Sequence, residues 1–518
     1  MKDFRHTRRQ FLATTGAVGI AAPVATAFGM QLAAFNSAAS QSAGGYKALV
    51  CIFQLGGNDG NNTVLASDTD SWNRYWAARN TGNDPIALMP EGTAAAAIGS
   101  TSPITGRTVT AATPEAWGGI LPFVPKTTQP IPAGTNATTR TFGFHPMLAP
   151  LLPIYTAGRL AVIANVGSLI EPVTKAQYQA RSKALPANLF SHNDQQAVWQ
   201  AGLTEGVRTG WGGQFGDLLA SSNGANSLYT AMSTAGNTVF LSGRTVVQYQ
   251  VSTGATPAVA VTAAGGNALF GSSLGPTKMR EIIRDTGFVA NMGADHATIV
   301  GRALEASVTL NSAATGPLVT AIPAPAVYRN PITNLVENNS LSIQLQTVAR
   351  MIAAAPALGL RRQVFFVAIG GHDSHDFQNT AQPNNLAKLA AALATFDATL
   401  ANIGGVDMRS AVTAFTASDF SRTFNTNGDG TDHAWGGHHL VMGGAVKGTD
   451  IYGQYPTIGT DLGAFRNPDQ IGNHHIPTTS VDQYGATLGA WFGVSDANLG
   501  IIFPNLRNFA KPNLGFMI

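Results

Sequence analysis

The sequence predicts an α/β fold with a mostly parallel central sheet, and three observations predict it. Short apolar runs of strand length alternate with stretches of helical period. The runs are apolar at consecutive positions, as strands covered on both faces require. Glycine- and aspartate-bearing turns follow several of them, where open α/β sheets place their ligands.

The first run is Ala48-Leu49-Val50-Cys51-Ile52-Phe53-Gln54-Leu55. Others are Leu160 to Val166, Val364 to Ile369, Val412 to Ala417 and His439 to Met442. Each reads as a buried strand. Between them, Leu341, Leu345, Val348 and Ile352 form one apolar stripe at helical spacing. Leu386, Leu389, Leu393, Phe396, Leu400 and Ile403 form a second, with Asn384 and Asn385 as candidate caps. Both stripes read as core-facing helix. Residues 84–140 are rich in Thr, Pro, Gly and Ala with weak periodicity, and read as a long surface excursion. Residues 239–274 alternate apolar and polar positions, and predict a small antiparallel cap inserted into the core.

The N-terminus carries a different signal. Lys2, Arg5, Arg8 and Arg9 precede a Gly/Ala-rich apolar stretch, and Thr7-Arg8-Arg9-Gln10-Phe11-Leu12 matches a twin-arginine export signal. Ala25-Thr26-Ala27 and Ser37-Ala38-Ala39 both suit cleavage, so residues 1–39 are set aside as a leader and 40–518 as one domain. The expected location is the periplasm or the medium. No later run is long enough to span a membrane.

Of the 518 residues only 11% are charged, while 44% are apolar, which suits a folded chain with polar loops. The formal charge of +3 comes from the leader, so the rest is near neutral and has no bulk attraction for nucleic acid. Cys51 is the single cysteine, which excludes an intrachain disulfide and reads as a small buried hydrophobe.

Chemistry-bearing residues follow the strands. Gly56-Gly57-Asn58-Asp59-Gly60 comes after the first, Gly370-Gly371-His372-Asp373-Ser374-His375 after the run ending at Ile369, and Ser418-Asp419-Phe420-Ser421-Arg422 after the run ending at Ala417. Asp432-His433 precedes the last run. Carboxylates and imidazoles in such a set are ligands for zinc and related divalent ions. Two ions about 4 Å apart can steady the attacking and leaving oxygens of an ester. The bland alternative is that these aspartates are turn formers. His474-His475, in a Gly/Asn/Pro loop, reads as a solvent-exposed pair. Ser191 reads either as a helix cap or as a nucleophile. The glycine spacing does not match a dinucleotide fingerprint.

Taken in order, FQLGGNDGNNTVL, FGFHPMLAPLLPIYTAGRLAVIANVG, SHNDQQAVWQAG, GGHDSHDFQ, TASDFSRTFNTNGDGTDHAWGG and VDQYGATLGAWFGV resemble the exported bacterial family catalogued as domain of unknown function 1501. That family is similar in turn to the alkaline-phosphatase and sulfatase superfamily. The resemblance implies a three-layer alkaline-phosphatase-like core. It implies one ion shared by Asp59 and Asp419, and another held by Asp373, His375 and His433. It implies Ser191 as nucleophile, with His192 and Arg422 contacting the anionic group. Two departures stand out: Phe420 occupies the place of a metal histidine, and counting back from Trp199 and Gly202 puts His192 at the nucleophile position. The expected activity is metal-dependent hydrolysis of phosphate, phosphodiester or sulfate esters, small or polymeric. The rival expectation is an exported binding or assembly protein that keeps the fold without catalysis. Neither names a protein partner.

Overall fold

The computed structural model describes residues 45–518 apart from 204–205, 254–267, 270, 286, 288–290 and 462–465. The predicted leader, residues 1–39, lies outside the described residues. The central element is a nine-stranded sheet. In chain order its strands are β1 (Lys47–Gln54), β2 (Leu160–Gly167), β3 (Ala231–Ser233), β4 (Tyr249–Gln250), β5 (Arg362–Ile369), β6 (Val412–Ser418), β7 (Gly437–Met442), β8 (Asp450–Tyr452) and β9 (Thr479–Ser480). All five runs expected as strands are present. Across the sheet the order is β8-β2-β7-β6-β1-β5-β3-β4, with β9 beside β2.

Every neighbouring pair is parallel except those made by β7, which runs antiparallel to both β6 and β2. This single reversal brings the start of β7 to the same edge as the ends of β1, β5 and β6. Strand β1 lies at the centre, with Gln54 opposite both Ile369 and Ser418. Three adjacent strands therefore deliver their loops to one place.

Helices cover both faces of the sheet. Named in chain order, they include α1 (Thr69–Arg79), α2 (His192–Ala201), α3 (Trp211–Leu219), α4 (Ser340–Leu358), α5 (Gln378–Leu400) and α6 (Val481–Phe492). Ala48, Val50 and Ile52 of β1 join the core formed with α4 and α5. On the other face, Trp211 of α3 and Tyr484 of α6 meet Phe415 of β6. Alternate residues of one strand thus feed two cores, so strands buried on both faces show no alternation in sequence. Cys51 is buried as expected.

Helix α4 starts where Asn339 accepts bonds from the Leu341 and Ser342 amides, and stops at left-handed Gly359. Its predicted stripe is fully buried. Helix α5 differs from expectation. It begins at Gln378, several residues before Asn384 and Asn385, so neither caps it. Pro383 lies inside the helix as its sixth residue, so the Asn379 carbonyl receives no bond from an amide at that position. Asn385 instead donates to the Gly371 carbonyl (2.7 Å), tying the helix to a loop at the sheet edge.

Two other expectations change. The described part of 239–274 is not an antiparallel cap: Tyr249–Gln250 pairs parallel with Met232–Ser233 and widens the main sheet. Residues 254–267 of that segment lie outside the described residues. The 84–140 excursion is not wholly superficial. Ile86 to Met89 are buried, and Leu121–Phe123 joins Val64–Ala66 and Phe142–Phe144 in a three-stranded antiparallel sheet. Short buried runs inside a Thr/Pro/Gly-rich stretch give no period to detect.

Among the described residues, no helix is long and apolar enough to cross a membrane.

Candidate metal centre

The loops after β5 and before β7, with the start of α2, converge at the carboxyl edge of the sheet. His192, Asp373 and His433 each bring a ligand atom within 4.8 Å of the other two. His192 Nε2 lies 3.5 Å from Asp373 Oδ2, and His433 Nε2 lies 3.4 Å from Asp373 Oδ1. His375 adds a fourth group, with Nε2 3.2 Å from Asp373 Oδ1 and 2.9 Å from His433 Nε2.

The far side of each imidazole is fixed. His192 Nδ1 donates to Asp419 Oδ2 (2.6 Å). His433 Nδ1 donates to the Phe190 carbonyl (2.8 Å), and His375 Nδ1 donates to Asp432 Oδ1 (3.1 Å). Carbonyl and carboxylate oxygens only accept, so each Nδ1 must carry the proton and each neutral ring must leave Nε2 bare. Histidines that ligate metals are held in this way, by an oxygen on the other ring nitrogen. Three imidazole nitrogens turned toward one carboxylate form a set that suits a bound cation or shared protons.

Each anchor has a local cause. Asp419 is fully buried at the end of β6, and its Oδ2 also accepts from Gln196 Nε2 (2.9 Å) and the Gly56 amide (3.2 Å). His192 and Gln196 are four apart on α2 and so share one face. His433 is placed by a short ladder between the chain leaving β6 and the chain entering β7, with a bridge from Arg422 to His433. Phe420 packs against the rings of His192 (4.8 Å) and His433 (4.5 Å). It therefore shapes the centre without donating to it. Gly57, at φ +86°, leaves room for that ring, because a Cβ there would come within 2.5 Å of it.

The electrostatics act on the rings in opposite directions. The hydrogen bond to Asp419 raises the His192 pKa against the opposing effect of burial. Burial lowers that of His433. Burial also acts to raise the Asp373 pKa, but the Arg422 bond and charge, with His192 and His375, outweigh it and the net direction is down. Asp373 is thus held as a carboxylate.

Of the predicted ligands, Asp373, His375 and His433 come together, and His192 joins them as a fourth. Asp419 stands behind His192, not beside Asp373. Asp59 is not available as a ligand. Its Oδ1 accepts from the Asn61 amide (2.9 Å) and Arg79 Nη2 (3.1 Å), and its Oδ2 from Arg79 Nη1 (2.5 Å) and Gln378 Nε2 (2.7 Å). Its four acceptor positions are filled. Arg422 does not face a substrate either. Its side chain is fully buried and binds the carbonyls of Gly56, Gly57 and Thr431 and the Asp373 carboxylate. It is a clamp that orients Asp373.

Ser191 occupies the N-cap position of α2 through its backbone carbonyl, and its hydroxyl makes no capping bond. The imidazole of the next residue is the group delivered to the centre. His474-His475 is not a solvent-exposed pair. His475 is buried in a two-stranded ribbon with Gln470–Ile471, and His474 stacks on Phe190 at 4.5 Å.

Reasoning from sequence missed Arg79, Asp432, the Phe190 carbonyl and Gln196. The i, i+4 relation of His192 and Gln196 and the adjacency of Asp432 to His433 were available signals. Nothing in the sequence pairs Arg79 with Asp59.

A family model described as "Protein of unknown function (DUF1501)" matches residues 46–501. The chain belongs to the DUF1501 family. The matched span contains every residue of the centre, so in this DUF1501 protein the cluster belongs to the family domain. No curated protein matches the chain.

Proposed function

We propose that this DUF1501 protein is a divalent-cation-dependent hydrolase of anionic esters: phosphate, phosphodiester or sulfate. One observation carries the reading. Three imidazoles, each anchored through Nδ1 to an oxygen, turn their Nε2 atoms toward one carboxylate. The donors fit a divalent ion, and three nitrogens with one oxygen suit zinc. His192, Asp373, His375 and His433 would hold it. Bound there, it would supply Lewis acidity toward an ester oxygen and lower the pKa of a water. The chain's own residues do the positioning. Asp419, Asp432 and the Phe190 carbonyl fix the ring planes, Arg422 aims Asp373, and Phe420 packs against the His192 and His433 rings. The position at the carboxyl ends of three adjacent parallel strands also supports a ligand site.

The resemblance to the alkaline-phosphatase and sulfatase superfamily supports the choice of ester chemistry, through the motif order and the three layers. The twin-arginine motif supports export after folding, to the periplasm or beyond. A centre assembled from residues far apart in sequence exists only in the folded chain.

The test is elemental analysis of the mature protein, purified without chelator, together with a screen of chromogenic phosphate, phosphodiester and sulfate esters. Bound divalent metal with turnover, both lost in Asp373→Ala, is the expected result. Protein without bindable metal sinks the proposal. The buried, bonded state of Arg422 and the absence of Ser191 from the cluster favour a second reading, an exported binding or assembly protein. Bound metal without turnover of any ester would select it.

A further inference from the structure

Two buried guanidiniums flank the centre. Arg79 spends all five donors: Nε on the Phe424 carbonyl (2.7 Å), Nη1 on Asp59 and Asn62 (2.8 Å), and Nη2 on Asp59 and the Thr423 carbonyl (2.8 Å). The Arg79–Asp59 pair is fully buried and cancels its own charge. The two-ion arrangement implied by the superfamily resemblance puts an ion between Asp59 and Asp419. Here a guanidinium already sits on Asp59. Asp419 retains one unbonded buried oxygen, Oδ1. Its neighbour Phe420 offers no donor, and among the described residues no second trio of His, Cys, Asp or Glu closes to ligand spacing. One protein oxygen does not make a second ion site.

The charges point the same way. Asp373, Asp419 and Asp432 bond directly to the ligand cluster, and Arg422 offsets one of them. The two negative charges that remain match a single divalent ion. Once they are matched, neither flanking guanidinium is free to meet substrate charge. A phosphate monoester brings nearly two negative charges at neutral pH, while a phosphodiester or sulfate monoester brings one.

We infer that the centre takes one divalent cation, with Arg79 standing at Asp59 in place of a second. We further infer that its substrates are esters of singly charged tetrahedral oxyanions. The substrate half rests on the hydrolase reading above, and the stoichiometric half does not.

The experiment is titration of metal-stripped mature protein with zinc chloride, read by calorimetry and by elemental analysis after dialysis. One ion per chain is expected, and Asp59→Asn should still take one. Two ions in the wild type, or loss of the ion in Asp59→Asn, overturns the inference. No ion at all overturns the cation centre itself. If Asp59→Asn fails to fold, the wild-type stoichiometry alone decides. The second arm compares kcat/KM for bis(4-nitrophenyl) phosphate, 4-nitrophenyl sulfate and 4-nitrophenyl phosphate. At least one singly charged ester should exceed the monoester by tenfold or more. Preference for 4-nitrophenyl phosphate overturns the substrate half. One ion with no turnover of any ester upholds the stoichiometry and overturns the hydrolase reading.

Discussion

His375 and His433 face each other through Nε2 atoms 2.9 Å apart, although both rings donate their Nδ1 protons elsewhere. Two lone pairs at that distance repel unless a positive charge lies between them. The contact makes sense only as part of a site that binds a cation or shares a proton. Replacing either histidine by Ala should therefore weaken zinc binding more than any change outside the cluster, as read by competition with a chromogenic chelator. Equal affinity in both variants would contradict the ligand assignment.

Asp419 acts on the centre through His192. Substituting Asn keeps the size but turns one acceptor into an amide donor that can face Nδ1. Loss of such an anchor lowers metal affinity by about 10–100-fold in comparable sites. The same calorimetric titration reads it, and the melting temperature should be recorded alongside. Unchanged zinc affinity in a folded Asp419→Asn protein would show that His192 is not a ligand.

The Arg79–Asp59 pair is structural. Arg79→Ala leaves a carboxylate buried without its countercharge, which costs about 3–5 kcal/mol. Urea denaturation of the mature protein should show a midpoint shift of that order. A shift below about 1 kcal/mol would mean that water reaches Asp59.

Gly57→Ala tests the room reserved for Phe420. The backbone at φ +86° and the Cβ-to-ring distance of 2.5 Å both oppose a side chain. A loss of about 1–3 kcal/mol is expected, with weaker zinc binding because the ring supports His192 and His433. Substitution of Gly56 is less informative, because a Cβ there meets backbone at 2.4 Å.

Acid should unfold the protein early. Burial pulls His145, His372 and His439 down to about 3 and His475 down to about 4. Below about pH 6.5 the unfolded chain takes up protons that the folded chain refuses. Stability is therefore full above that pH and falls progressively as pH drops toward 4, by up to about 3 kcal/mol for each such histidine. Circular dichroism across pH 7 to 4 should show cooperative loss of structure, and a protein stable at pH 4 would contradict it.

Asp482 works in the opposite direction. Burial raises its pKa to about 7, against hydrogen bonds from Asn505. Between about pH 4 and 7 the folded state holds a proton that the unfolded state has released, so stability falls as pH rises through this window. Asp482→Asn removes the effect. The variant should gain on the wild type by as much as about 4 kcal/mol between pH 4 and pH 8, measured by urea titration at each pH. A constant difference would show that Asp482 is charged when folded.

The sheet was legible because strands buried on both faces leave unbroken apolar runs, and β1, β2, β5, β6 and β7 all left them. Helices α4 and α5 were legible from their stripes, but the start of α5 was not. Its first turns carry Gln378 and Gln382, which bond to Asp59 and one another instead of packing in the apolar core. The antiparallel cap failed because alternation reports a half-buried strand and not its partner or direction. His474-His475 was misread because loop composition does not reveal that a ribbon folds over it.

The sequence by itself determined five of the nine strands of the central sheet, that their loops carry aspartates and histidines, and that Cys51 forms no intrachain disulfide. It could not determine which of those residues share a charge. Asp59 and Asp373 follow parallel neighbours β1 and β5 in similar glycine-rich turns, and local chemistry does not separate them. Tertiary structure separates them by the position of two guanidiniums. Arg79 arrives on α1 and, with the Asn61 amide and Gln378, fills the acceptors of Asp59, while Arg422 bonds Asp373 Oδ1, the oxygen that also faces His375 and His433, and leaves Oδ2 to His192. Long-range electrostatic pairing leaves no periodic trace in a chain, so only the folded protein decides which carboxylate faces the imidazoles.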